Sequence, residues 1–297
     1  MLTNVSDPET YPKISVSELQ TLLRCTKKHD YAYRQGLSPV ESPSFISKGS
    51  YLHKLMERRL KAAVAGEDFD LNAVSVQLQA ELLKEKGTTV TEPDRAEANL
   101  LFQEWLDKVE KHDIDLAEYV FRNPEDGTPL IEAEFMVDLG WRDLDDTPVL
   151  LHGFIDLVGQ DHEGALWPNE HKTAARAWSV PMLQFHYQAP LYVAALRTLF
   201  PDLVTRGVQY NFFLPKGVDI KQVYLMDAHV ESVLAEAQAG IYLRDTGSIV
   251  RQPHWGCNDC WYRNLCVAEL MGLDAEHVRE TQFNVDEAKA SRFVGEE

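Results

Sequence analysis

What this chain has little of narrows its class before any motif is read. No apolar run approaches the ~20 residues needed to cross a bilayer. The first residues, Met1-Leu2-Thr3-Asn4-Val5-Ser6-Asp7, have neither the basic start nor the apolar core of a secretory signal. A cytoplasmic protein without a membrane partner is the resulting expectation. No internal repeat or low-complexity linker is found, and no G-x(4)-G-K-[ST] phosphate loop, so ATP-driven movement along a substrate would have to come from a partner protein. Cysteine is scarce. The four present are Cys25, Cys257, Cys260 and Cys266, three of them inside one ten-residue window. Clustered thiols in a cytosolic chain point to metal binding more often than to disulfides.

Positive charge is also short: 29 Lys and Arg stand against 47 Asp and Glu, a net charge of -18. A uniformly acidic surface repels phosphate backbones, which counts against nucleic acid as a partner. Docking is decided by local patches, however, and the basic residues gather at Arg24, Lys27, Lys28 and Arg34, at Lys54, Arg58, Arg59 and Lys61, and at Lys172 and Arg176. The length of 297 residues and the 44% hydrophobic share are enough for a large buried core.

Hydrophobic periodicity divides the chain. From Ser15 to Tyr33, Val16, Leu19, Leu22 and Leu23 recur at helical spacing, with Ser15 or Ser17 as N-cap. A Pro- and Ser-rich loop follows from Ser38 to Ser44. Gly49 then opens a second helix with Leu52, Leu55, Met56 and Leu60 as its buried stripe. Leu71 to His112 continues helical, interrupted near Gly87-Thr88-Thr89. Strand periodicity sets in over Leu130–Leu139, Val149–Val158, Ala165–Lys172 and Gly207–Leu214, with a turn at Asp161-His162-Glu163-Gly164. Helices are expected over Leu183–Phe200 and Glu231–Leu243, and an acidic, loosely attached end from about Asp274. The pattern is that of an α/β (α+β) protein. It divides into a helical N-terminal region at 1–125, a core at 126–250 and a cysteine-bearing segment with an acidic tail at 251–297, integrated as one domain.

The most informative stretch is Gly153-Phe154-Ile155-Asp156, a turn, and then Glu170-His171-Lys172-Thr173. Residues two apart on a strand share a face, so Glu170 and Lys172 would be neighbours, with Asp156 arriving from the adjacent strand. Two carboxylates suit Mg²⁺ or Mn²⁺, and the backbone carbonyl of His171 would add an oxygen ligand. Such a metal polarises a phosphoryl oxygen and activates water, while an amine alongside orients the attacking water or neutralises developing charge. D-x(13)-E-x-K alone is a weak pattern in a chain with 47 acidic residues. Its neighbours strengthen it: Gly49-Ser50-Tyr51-Leu52-His53 precedes it and Gln188-Ala189-Pro190-Leu191-Tyr192 follows it.

In that order the four motifs resemble the RecB-like branch of the PD-(D/E)XK nuclease superfamily. The resemblance implies a restriction-endonuclease-like central mixed sheet flanked by helices. It further implies His53, Asp156 and Glu170 as metal ligands, Lys172 as the catalytic lysine, and Gln188 and Tyr192 lining the site or contacting DNA. Glu134 sits where the family is often acidic, a supporting residue. Two prolines depart from the pattern. Pro168 inside a strand calls for an edge, a bulge or a short strand, and Pro190 calls for a helix that is kinked or only beginning.

Cys257, Cys260 and Cys266 supply three thiolates, one short of the four that an iron–sulfur cluster or structural zinc commonly takes. Cys25 is the remaining thiol. One early and three late cysteines around a nuclease core are similar to AddB and to the iron–sulfur exonucleases associated with CRISPR adaptation, which implies a structural [4Fe-4S] cluster. Zn²⁺ held by the four cysteines, or by three with His254, is the competing reading. The function implied is a Mg²⁺- or Mn²⁺-dependent exonuclease acting on DNA ends or single strands in recombination, repair or processing, with a helicase or recombination protein as partner. Tyr187, Tyr192 and Trp178 are the aromatics near the site available for stacking on bases. A catalytically inactive DNA-end or protein-binding module of the same fold is the alternative. A different metal-dependent hydrolase or redox protein is a third.

Overall fold

The computed structural model describes residues 1–40, 44–86 and 89–290. Two compact units share the chain, the first from Met1–Thr10, Pro43–Leu139 and Leu150–Val233, the second from Tyr11–Ser42, Gly140–Val149 and Leu234–Glu297. These units follow different lines from the three consecutive regions read in the sequence.

The first unit is built on a mixed sheet. Its elements are strand β1 (Leu2–Thr3), helices α1 (Ser44–Ala65), α2 (Leu71–Lys86) and α3 (Glu92–Lys111), strands β2 (Ile131–Val137), β3 (Leu150–Gln160) and β4 (Leu166–Thr173), helix α4 (Gln188–Leu199), and strands β5 (Gly207–Leu214) and β6 (Gly217–Tyr224). The strands lie in the order β1-β2-β3-β4-β5-β6. The pairs β1–β2 and β4–β5 are parallel and the others antiparallel. Helices α1 to α3 bury Leu52, Leu55, Met56, Leu60, Phe102 and Trp105 against Leu157, Phe213 and Val218 of the sheet. Each such side chain contributes about 1.5–3 kcal/mol on burial. Helix α3 is well bounded: Thr91 caps it by accepting from the Asp94 N–H, Glu92 and Asp94 open it, and Lys108 and Lys111 close it, as the helix dipole favours. This mixed sheet with flanking helices is the α/β architecture expected from the motifs.

Several expectations need correction. Helix α1 starts at Ser44, so Gly49 lies inside it and does not open it. A Cβ at Gly49 would stand 2.9 Å from Thr173 Oγ1, so close approach of the helix to β4 places glycine there. Strand β4 is no edge. Pro168 lies opposite Val158 of β3, and the continuous ladder to β5 begins one residue later, at Asn169. The missing N–H of Pro168 therefore falls in the gap between an isolated bridge at Leu166–Thr205 and that ladder. Pro190 stands in the first turn of α4, where no N–H is required, so the helix only begins there. Strand β6, which completes a hairpin with β5, was not read from the sequence. In the interruption between α2 and α3, Gly87 and Thr88 lie outside the described residues.

The second unit contains a helix at Val16–Arg24, N-capped by Ser15, and a four-residue helix at Thr26–His29. The break between them is at Cys25, whose extended backbone (φ -166°) interrupts the single helix expected from Ser15 to Tyr33. Leu37–Pro39 pairs antiparallel with Phe283–Val285. Ser38 and Pro39 of the expected loop are thus strand, while residues 41–43 lie outside the described residues. Tyr31, Leu37, Tyr262, Leu265 and Phe283 form its core. The segment beyond Asp274 is helix at Ala275–Gln282, then strand, then helix at Glu287–Ala290, not a loose end. The closing Glu296-Glu297 is outside the described residues. No helix among the described residues is long and apolar enough to cross a membrane.

Candidate metal centre

Register brings the acidic residues of the first unit together. Leu157 pairs with Ile131 on one side and with Asn169 on the other. One residue back along β3, Asp156 therefore faces Glu132 of β2 and Glu170 of β4. Helix α1, held close by the Gly49–Thr173 contact, delivers His53 to the same place. Its Nδ1 is 3.6 Å from Asp156 Oδ1, and its Nε2–H donates to the His171 carbonyl at 2.8 Å. The Asp156 carboxylate is fixed from the other side by the His171 backbone N–H, which donates to Oδ2 at 2.7 Å.

His53, Glu132 and Asp156 each offer a ligand atom, and the three atoms lie within 4.8 Å of one another. Glu132 was missed from the sequence, where Glu134 was named. The structure places the Glu134 carboxylate 3.1 Å from His152 Nε2, in a different pair. The reason is local backbone. Glu132 has φ +48°, a left-handed conformation uncommon for a residue with a side chain, which breaks the two-residue alternation that would give 132 and 134 equivalent roles.

Glu170 and Lys172 form the other half of the site. Lys172 Nζ donates to Glu170 Oε1 at 2.8 Å and to Gln188 Oε1 at 3.0 Å. Gln188 Nε2 donates to the Tyr192 hydroxyl at 2.8 Å. That hydroxyl is 2.8 Å from the Phe154 carbonyl and 3.3 Å from Glu170 Oε2. Gln188 and Tyr192 are both buried, so they hold Lys172 and Glu170 in place and present little surface to a substrate. Trp178 packs over the Lys172 ammonium, 5.7 Å from Nζ to ring centroid.

The electrostatics follow from crowding. Burial and then the Asp156 charge push Glu132 up to about 7. Burial and Asp156 likewise raise Glu170, against the pull of Lys172 and His53. Asp156 itself is held below the usual carboxylate range, because His53 and the His171 N–H outweigh burial. Burial pulls His53 down, yet Asp156, Glu170 and Glu132 together raise it to about 9. Burial drives His171 down to about 4, so its ring is neutral. Carboxylates that repel one another beside an imidazole form a set that a divalent cation relieves. Oxygen donors with one imidazole suit Mg²⁺ or Mn²⁺, the imidazole favouring Mn²⁺.

The four cysteines all lie in the second unit, half-buried and free of disulfides. Cys25 Sγ accepts from the Lys28 N–H at 3.4 Å, and Cys257 Sγ from the His254 N–H at 3.5 Å. Burial raises the Cys260 thiol, and the neighbouring Cys25 and Cys257 raise it further, so thiols from opposite ends of the chain sense one another. Burial, softness and mutual repulsion fit them to a thiolate-ligated centre.

Paired carboxylates, an imidazole and a lysine meet at one sheet position, a donor set suited to a divalent metal. The chain belongs to the PD-(D/E)XK nuclease superfamily, whose family model matches residues 13–267. Members of that superfamily use divalent metals and act on nucleic acid. Among solved structures, the chain is similar to a protein from Eubacterium rectale with the provisional designation of exonuclease. That match has 11% identity, 86% of this chain and 90% of that one covered, and a TM-score of 0.48. It is also similar to the protein SSO0001, at 12% identity, 86% and 85% coverage and a TM-score of 0.38. No curated protein matches.

Proposed function

We propose that this protein is a Mg²⁺- or Mn²⁺-dependent DNA exonuclease of the RecB-like branch, hydrolysing phosphodiester bonds on single strands or DNA ends. The observation that carries this reading is the meeting of His53, Glu132 and Asp156 with the Glu170–Lys172 pair. A divalent ion held by His53, Glu132 and Asp156, with Glu170 beside them, would supply the positive charge that stabilises a phosphoryl oxygen in the transition state.

The remaining work falls to the chain. Lys172, steered by Gln188 and Glu170, points an ammonium at the reacting phosphate, neutralises charge there and orients the attacking water. Tyr192, whose hydroxyl burial and Glu170 hold well above its ordinary pKa, stays protonated and fixes the Glu170 carboxylate. The Nε2–H bond to the His171 carbonyl leaves Nδ1, which faces Asp156, as the His53 nitrogen a metal would take in exchange for its proton.

For the cysteines, the proposed occupant is a structural [4Fe-4S] cluster. Cys25 and Cys257 lie near enough to Cys260 to shift its thiol, which supports a site shared by thiols from both ends of the chain. A recombination or repair role, with a helicase or similar partner supplying strand movement, is the setting this activity suits.

The test is digestion of end-labelled DNA with Mg²⁺ or Mn²⁺ by anaerobically purified wild type, Asp156→Ala and Lys172→Ala. Release of terminal nucleotides by wild type alone supports the reading. Equal cleavage by all three removes the site. DNA binding with no cleavage by any of them leaves the inactive DNA-end module. Visible absorbance and iron and zinc analysis of the same sample separate the two occupants of the cysteine site.

A further inference from the structure

The aromatics that the sequence offers for stacking on bases are spent elsewhere in the structure. Tyr192 is buried in the Glu170 network, and Trp178 lies over Lys172. A different ring stands open beside the metal centre. Phe154 belongs to β3, an interior strand of the sheet, yet is 49% exposed. It precedes Asp156 by two residues, so the two side chains share a face and stand about 6.8 Å apart along the strand. That is about one nucleotide's reach from a phosphate seated at the carboxylates.

The residue is anchored through its backbone. Its carbonyl accepts from the Tyr192 hydroxyl at 2.8 Å, the same hydroxyl that contacts Glu170. The His152 ring meets it edge-on, with centroids 5.5 Å apart. His152 is in turn held by Glu134 of β2 at 3.1 Å. The Glu134 carboxylate, on the residue paired with Phe154 across the ladder, thereby acquires a positioning role in place of a ligand role. A solvated phenyl face in mid-strand loses the burial that phenylalanine ordinarily gains, and it presents a π-surface that any base, unstacked from its neighbours, would cover.

We propose that Phe154 is the stacking platform for the base of the nucleotide next to the scissile phosphate, and that it selects single-stranded DNA because a paired, stacked base cannot lie on it. This inference rests on the nuclease reading and adds the substrate's conformation to it. Stacking of one base on an aromatic contributes about 1–3 kcal/mol and tolerates any sequence.

Binding is measured by fluorescence anisotropy in the Lys172→Ala background, with Phe154 either kept or replaced by alanine or tryptophan. The ligands are a single-stranded oligonucleotide, the same strand with abasic sites at its terminal positions, and the duplex. Cleavage of each is measured with Lys172 intact. The expected results are a loss of roughly tenfold in single-strand affinity for Phe154→Ala, recovery in Phe154→Trp, and little change on the duplex. Abasic ends should cost the Phe154 form the same factor and cost Phe154→Ala nothing further. Equal single-strand binding and cleavage with phenylalanine or alanine overturns the platform while leaving the nuclease standing. Base-dependent binding through Phe154 without cleavage of any DNA by the Lys172 protein overturns the nuclease and keeps the platform. If the alanine and abasic losses multiply in full, the base lies elsewhere and the proposal fails.

Discussion

Gln188 and Lys172 are joined by a 3.0 Å hydrogen bond from the lysine ammonium to the amide oxygen. The other end of that amide donates to Tyr192, so the first turn of α4 sets the direction of a lysine on β4. Without it the ammonium keeps its hydrogen bond to Glu170 and the Trp178 ring over it, and gains rotamer freedom. Removing an orienting partner of this kind typically costs 10–100-fold. Gln188→Ala is expected to lower kcat by about that range while leaving KM and Mn²⁺ affinity near wild type. Gln188→Glu should recover part of the loss. Steady-state kinetics with calorimetric Mn²⁺ titration checks this, and a loss carried by KM instead would mean that Gln188 contacts DNA directly.

Crowding at Glu132 makes the metal-free protein sensitive to pH. Its folded pKa is raised to about 7, above its unfolded value of about 4.3, so the folded state binds more protons between them. Stability from this group is present below the unfolded pKa and lost as pH rises through about 7. His53, raised to about 9, acts in the same sense at higher pH. In EDTA, the melting temperature is expected to fall by a few degrees from pH 5 to pH 8, and Mn²⁺ should restore it by binding only the folded form. Glu132→Gln should flatten the metal-free profile between pH 5 and 7 and weaken Mn²⁺ binding at least tenfold. A profile that Glu132→Gln leaves unchanged would place the titrating group elsewhere.

The parts of this protein that were legible in its sequence are those governed by local periodicity. Strand alternation located β2, β3, β4 and β5, and the order of the motifs drew attention to His53, Asp156, Glu170, Lys172, Gln188 and Tyr192, which the fold brings to one place. What escaped depends on long-range contact or on a single dihedral. Glu132 became the neighbour of Asp156 through the register of β2 against β3, which spacing along the sequence does not set. Gly49 reads as a helix start because glycine is a poor helix former, but the approach of Thr173 decided it. Gln188 and Tyr192, expected to line the site or contact DNA, are turned inward and buried. Strand β6 had a turn signal, Pro215-Lys216-Gly217, followed by Val218 and Ile220 two apart, and could have been read.

The Gly49–Thr173 approach also predicts a rescue. A methyl group at position 49 would meet Thr173 Oγ1 at 2.9 Å, pushing α1, and His53 with it, away from β4. Gly49→Ala should gain about 1 kcal/mol in helix propensity yet lose about 1–3 kcal/mol to overpacking, with a marked fall in Mn²⁺ affinity. Thr173→Ala removes the offending oxygen, so the double variant should recover both stability and affinity relative to Gly49→Ala. Denaturant titration and calorimetry over the four members of the cycle measure the coupling. Simple additivity would show that the helix finds its place by other contacts.

The cysteine site lends itself to a test independent of cleavage. Cys25 comes from the break between two helices near the N-terminus, while Cys257, Cys260 and Cys266 come from a short segment near the other end. A centre bound by all four closes a very long loop, and such a closure restricts the unfolded chain. Cys25→Ser is therefore expected to lose the visible absorbance, iron and acid-labile sulfide of the anaerobically purified protein together, and to lower its melting temperature as much as Cys266→Ser does. A zinc centre would give a colourless wild type with one zinc per chain, lost in the same variants. If Cys25→Ser keeps a full complement of iron, the N-terminal thiol is no ligand. Three cysteines with His254 then become the donor set, and His254→Ala is the variant that should release the metal.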